Sequence, residues 1–235
     1  MIRDRESRGR LALAGAAVSL LAAALGMVFW YAPREAVMGE VQRLFYFHVS
    51  SAWVAMLSFV VAAVSGGLYL ARREPTWDLV GISAVEIGVV FGLIAIGSGS
   101  IWARPVWNTW WTWDPRLVTT SVMELVYAAY LLLRQGLEEP EQRARFGAVY
   151  AIAGVLTVPM TFLSIRLLRS IHPVLIGSGE SGTLGGFAMT PRMLETFLVS
   201  LLAFTVLYGA LLVYRVHLAV RGRGLEERRS ALFMD

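Results

Sequence analysis

Six stretches of mostly apolar residues, at roughly 11–31, 49–71, 79–101, 117–134, 147–168 and 194–216, dominate this sequence. In hydrocarbon no water can satisfy backbone N–H and C=O groups, so such a segment must close its own hydrogen bonds. A helix of about 20 residues does this while crossing the apolar core of a bilayer. The predicted fold class is therefore all-α: a polytopic membrane protein of six transmembrane helices, one domain over residues 1–235, carrying an outer, amphipathic, tryptophan-rich loop. Composition agrees, because 57% of the residues are hydrophobic and only 16% charged, a balance foreign to water-soluble domains.

The charges gather between the apolar runs. Arg72-Arg73-Glu74-Pro75 and Glu138-Glu139-Pro140-Glu141 read as helix breakers. Every one of the 21 basic residues is arginine, and on alternate sides of the six-span plan they divide fourteen to seven. The positive-inside rule then puts both termini in the cytoplasm. The first stretch follows a basic segment but lacks a small-residue cleavage site near Trp30-Tyr31-Ala32-Pro33, and reads as a retained helix. No phosphate loop is present, so energy from ATP would have to come from another subunit.

This topology leaves three loops outside: 32–48, 102–116 and 169–193. In the first, Val37, Val41, Leu44 and Phe45 recur at helical spacing over residues 34–47, as in an amphipathic helix lying on the membrane surface, and His48 follows. The second holds Trp102, Trp107, Trp110, Trp111 and Trp113, five of the eight tryptophans within twelve residues. If it is helical from Pro105, Trp107, Trp110, Trp111 and Asp114 share one aromatic face that can lie against a planar apolar ligand. An interfacial tryptophan belt is the plainer alternative, but a belt places one or two at each helix end. Asp114 before Pro115 also has the form of a helix N-cap. The third loop carries His172, then the turn-rich run Gly177-Ser178-Gly179-Glu180-Ser181-Gly182.

The chain has no cysteine, which excludes disulfides, thiolate metal sites and haem attachment through CxxC. Histidine and methionine are left as the plausible soft ligands. With His48 and His172 both outside and flanking a tryptophan platform, the arrangement suits axial coordination of haem iron from opposite ring faces. Haem propionates need cations at the rim, for which Arg43, Arg104, Arg116 and Arg169 are candidates. Arginines at helix ends also snorkel to headgroups. His217 lies at the other end of the last helix. Glu86 and Glu124 fall inside the third and fourth spans, where a carboxyl must be neutral or paired.

The strings FYFHVSSAW at 45–53, GSIW at 99–102, RPVWNTWWTWDPRLVTT at 104–120 and SIRLLRSIHP at 164–173 resemble those of haem-handling membrane proteins with a tryptophan-rich signature loop, and among them the haem exporter protein C family. The resemblance spans essentially the whole chain. It implies a binding and delivery subunit for cytochrome c biogenesis rather than an enzyme. His48 and His172 would be axial ligands of non-covalent ferric haem b, and Trp102, Trp107, Trp110, Trp111, Trp113, Asp114, Arg104 and Arg116 would contribute to the binding face. It further implies outward delivery to the haem chaperone CcmE, beside an ATP-binding cassette complex of CcmA, CcmB and CcmD. Two other classes stay open: a cytochrome c haem lyase-type synthetase, whose chains are larger and richer in histidine, and a haem-translocating channel, for which no polar path across the bundle is evident.

Overall fold

A computed structural model describes residues 2–36, 38–173 and 189–232. Their helices are α1 (Ile2–Gly26), α2 (Arg43–Arg72), α3 (Pro75–Trp107), α4 (Pro115–Gln135), α5 (Pro140–Gly154), α6 (Thr157–Leu167) and α7 (Pro191–Leu232). Among the described residues, six helical stretches are long and apolar enough to cross a membrane, with α5 and α6 forming one of them. Four helices, α3, α4, α5 and α7, begin on proline. At that position the missing N–H costs nothing and the fixed φ is already helical. The breakers expected at 72–75 and 138–141 act in this way, and Arg73 in the left-handed region ends α2 by donating its N–H to Tyr69 O (2.8 Å).

In lipid the helices gain little from the hydrophobic effect against one another, so close packing and small residues decide where they meet. Gly66 of α2 lies so near α5 that a Cβ there would stand 2.9 Å from Ala148 O. Gly88 of α3 is filled by the Phe59 ring of α2, which stacks on Tyr127 of α4 with centroids 3.6 Å apart. These contacts join α2, α3, α4 and α5 into one core around Phe59, Val85, Met123 and Tyr127. α1 packs along α7. Large side chains such as Leu11, Leu93, Leu125, Leu132 and Leu202 face outward, exposed, as a lipid-bathed surface requires.

Three local expectations change. Residues 34–47 do not form a separate surface helix: Glu35 and Gly39 bridge across a tight turn, Glu40–Gln42 form one 3-10 turn, and Arg43–Phe47 are already the first turns of α2. Gly39 takes φ 59° there, which favours glycine, and Val37 lies outside the described residues. The fifth span is broken at Val155–Leu156. Pro159 has no N–H to give Val155 O, which accepts instead from Val158 N (3.0 Å), and the regular helix is interrupted there. The last helix runs past its expected span: α7 has 42 residues, of which Pro191–Leu225 form the apolar crossing stretch, and it rises about 63 Å at 1.5 Å each, twice the apolar thickness of a bilayer.

Charges inside the bundle are mostly paired. Arg134 of α4 makes a forked bond to Asp78 of α3, Nη1–Oδ1 2.6 Å and Nη2–Oδ2 2.9 Å, with both side chains under 10% exposed. Arg215 Nη2 donates to Glu86 Oε1 (2.8 Å), so the carboxyl of the third span is paired. Glu124 is buried against Gly92, and neither oxygen has a hydrogen-bond partner among the described residues. Removing one partner of a buried ion pair strands the other charge. Arg134→Ala or Asp78→Ala is therefore expected to destabilise the bundle by about 3–5 kcal/mol, measured by thermal unfolding in detergent, while the double substitution costs less than the two singles combined.

Candidate functional site

All five tryptophans of the second loop, together with His48 and His172, lie at the end of the bundle where α2 and α4 start and α3 and α6 finish. His48 stands in the second turn of α2 and reaches across to α3. Its Nδ1 is 2.9 Å from Ala95 O and 3.3 Å from Ser98 Oγ. A carbonyl can only accept, so the proton sits on Nδ1 and Nε2 keeps its lone pair. Gly99 makes room for the ring, since a Cβ there would be 2.7 Å from His48 Cε1. The helical run carries both contacts: Ala95, Ser98 and Gly99 fall on one face of α3.

The tryptophan loop differs from the expected helix. α3 continues through Pro105 and stops at Trp107, where Asn108 enters the left-handed region (φ 57°). Arg104 Nη1 donates to Asn108 O and Oδ1, both at 2.7 Å, covering the end of the helix. Residues 108–114 then run without helix to α4. Trp107, Trp110, Trp111 and Asp114 consequently do not share one continuous helical face. The indoles instead pack edge to face in pairs, Trp102 on Trp107 (5.2 Å) and Trp111 on Trp113 (6.2 Å), each at 88°. Ser100 Oγ donates to Trp110 O (2.7 Å) and ties the loop back to α3. Trp113 is 84% exposed and Trp110 57%, so apolar rings are presented outward. Trp102 Nε1 and Thr112 Oγ1 are buried without a partner among the described residues.

Asp114 is buried and caps α4, as its place before Pro115 implied: Arg116 N donates to Oδ1 (2.9 Å). The same carboxylate accepts from Ser170 Oγ (2.9 Å) and Ile171 N (2.8 Å), which brings the segment after α6 to the tryptophan loop. His172, half-buried, donates from Nδ1 to Pro173 O (3.2 Å), so its Nε2 lone pair is also spared. Burial, reinforced by the nearby Arg116 guanidinium and by His48, lowers the His172 pKa from 6.5 to about 4. The imidazole is thus neutral at ordinary pH and able to bind a metal. Arg116 Nη1 donates to Thr161 O (2.6 Å) and the guanidinium lies over the Phe162 ring, joining α4 to α6.

Not every candidate arginine gathers here. Arg43 pairs with Glu40 (2.6 Å), donates to Phe29 O (2.7 Å) and lies over the Phe29 ring, facing the turn at Met27–Tyr31 that follows α1. Arg169 is exposed. The turn-rich run Gly177–Gly182 lies outside the described residues. Sequence reasoning did not single out Ala95, Ser98, Gly99, Ser170 or Thr161. Only GSIW and SIRLLRSIHP marked their neighbourhoods, because each acts through a partner distant along the chain.

The Heme exporter protein C family model matches residues 5–231. The chain is 30% identical over 217 residues to the Heme exporter protein C of Bradyrhizobium diazoefficiens, covering 92% of this chain and 79% of that protein. To the Rhodobacter capsulatus protein of the same name it is 29% identical, covering 96% and 93%. To that of Escherichia coli K12 it is 26% identical, covering 80% and 74%.

The close seat of His48 on Gly99 can be checked directly. Gly99→Ala is expected to displace the imidazole from Ala95 O and to cost about 1–3 kcal/mol by overpacking. Gly97, with nothing within 4 Å, is the control, and Gly97→Ala should be neutral. Thermal unfolding together with chemical labelling of His48 reads both effects.

Proposed function

Because this chain belongs to the haem exporter protein C family, we propose that it serves cytochrome c maturation by holding haem at the tryptophan end of its helical bundle and delivering it to the haem chaperone CcmE. The observation that carries this reading is the shared state of two imidazoles. His48 and His172 each commit Nδ1–H to a backbone carbonyl and keep Nε2 free to donate a lone pair. That is how metal-binding histidines are oriented in general. A sequence without cysteine has no thiol to attach haem through, which fits a non-covalent cargo.

Haem iron offers two axial positions that accept imidazole nitrogen. His48 would take one, from a rigid seat on α3, and His172 the other, from a segment tethered to Asp114. Trp102, Trp107, Trp110, Trp111 and Trp113 would shield the porphyrin, as rings packed at right angles that enclose it rather than as one flat stack. Arg116 and Arg104 would meet the propionates. The unpartnered Trp102 Nε1 and Thr112 Oγ1 are further donors suited to an anionic group. Asp114 has its oxygens engaged by protein donors and is better suited to holding the site than to touching haem.

The chain is a multi-pass membrane protein. The arginine asymmetry supports an inner-membrane orientation with both termini in the cytoplasm and the haem site toward the periplasm. Delivery rather than catalysis suits a site of ligands and apolar rings, and energy would come from CcmA and CcmB, with CcmD completing the complex. Partly exposed tryptophans beside the site provide apolar area that a docked chaperone can cover.

Purified full-length protein loaded with ferric haem is expected to give a six-coordinate, low-spin spectrum. His48→Ala and His172→Ala should each convert it to a high-spin form and lower chaperone loading; an unaltered Soret band in both variants would refute the ligand assignment. The pH dependence follows from the direction of the His172 shift. Its folded pKa of about 4 lies below the unfolded 6.5, so neutral imidazole is present above 6.5 and is lost only as pH falls toward 4. The low-spin spectrum should therefore persist at pH 5.5, and decay there would contradict the placement of His172.

A further inference from the structure

Asp114 accepts three hydrogen bonds from two separate parts of the chain. Oδ1 accepts from Arg116 N and Ser170 Oγ, each at 2.9 Å, and Oδ2 accepts from Ile171 N at 2.8 Å. Ser170 Oγ in turn accepts from His172 N at 3.0 Å. The side chain is 7% exposed. A helix cap needs only the first of these bonds. The other two reach 56 and 57 residues along the chain to a stretch that has no helix of its own: α6 ends at Leu167 and Leu168 is extended.

We propose that Asp114 is the positioning residue for His172, fixing the 170–172 segment against the start of α4 so that this imidazole meets the iron bound by His48. The inference rests on the reading of His172 as a haem ligand. A non-helical segment must have its conformational entropy offset by something, and hydrogen bonds to a buried carboxylate are among the stronger ones available. The same carboxylate terminates the tryptophan loop. It therefore sets the separation between the Trp111–Trp113 pair and His172, and couples the two halves of the binding face.

Asparagine separates the two roles. Asp114→Asn keeps an oxygen for Arg116 N and caps a helix as well as aspartate does. The amide NH2 placed where Oδ2 stood cannot accept from Ile171 N, so the Ile171 tether is lost while the cap and the Ser170 bond, both on Oδ1, survive. Ser170→Ala removes the other tether and leaves the cap untouched.

The test uses full-length protein in detergent, with ferric haem as the probe and visible and electron paramagnetic resonance spectra as readouts. Wild type should be six-coordinate and low-spin. Asp114→Asn should become mainly five-coordinate and high-spin, retain haem roughly ten- to a hundredfold less tightly, and regain the six-coordinate spectrum on addition of free imidazole. Ser170→Ala should shift the same way to a smaller degree. Asp114→Asn combined with His172→Ala should be no worse than His172→Ala alone. A wild-type spectrum and affinity in Asp114→Asn, or a loss that imidazole does not restore, overturns the inference and leaves the haem reading standing. If wild type is itself not six-coordinate, the ligand reading falls and this inference with it. Should Asp114→Asn fail to accumulate, Ser170→Ala decides: no spectral shift there overturns the tether.

Discussion

Hydrocarbon offers a peptide group no hydrogen-bond partner, and most other features of this chain follow from that constraint. Each crossing must be helical, each turn must fall at an end of the bundle, and non-helical backbone must find partners in protein. At the tryptophan end the irregular segments 108–114 and 168–173 meet this condition together, through Ser100 to Trp110 O, Arg104 to the end of α3, and Asp114 to Ser170 and Ile171. Irregular backbone costs most where lipid begins, and it is concentrated where a ligand would bind.

The same economy governs the charged groups. Asp78 and Arg134 satisfy one another in a buried fork, and Glu86 has Arg215. Arg116 spends one nitrogen on a carbonyl of α6. The two imidazoles engage one nitrogen each with backbone oxygen and keep the other. One imidazole thus has a rigid seat against α3 and the other sits on a segment tethered to Asp114, an arrangement that would suit the proposed cargo, which must leave as well as arrive.

Much of this was legible in the sequence, for identifiable reasons. Hydropathy located the spans because lipid tolerates few charges, and Pro75 and Pro140 marked breaks between spans and Pro115 a helix start because a first turn accepts proline without losing a hydrogen bond. The Asp114 cap could be read from the proline that follows it. The helical tryptophan face could not be foreseen to fail: Pro105 looks like a helix start, yet α3 runs through it and is stopped by Asn108 and the Arg104 cover. The surface helix at 34–47 was a true periodicity assigned to the wrong element, since its apolar half belongs to α2. Gly99 beneath His48, and Ser170 on Asp114, were invisible because local pattern carries no information about partners some fifty residues away.

In the proposed site, His48 and His172 bind one iron through Nε2. Pulsed electron paramagnetic resonance of the ferric haem complex, in full-length protein carrying 15N-labelled histidine, tests it most directly. Ligation by both residues gives hyperfine coupling to two histidine imidazole nitrogens on the same low-spin iron. Coupling to one imidazole alone, or to none, would contradict it.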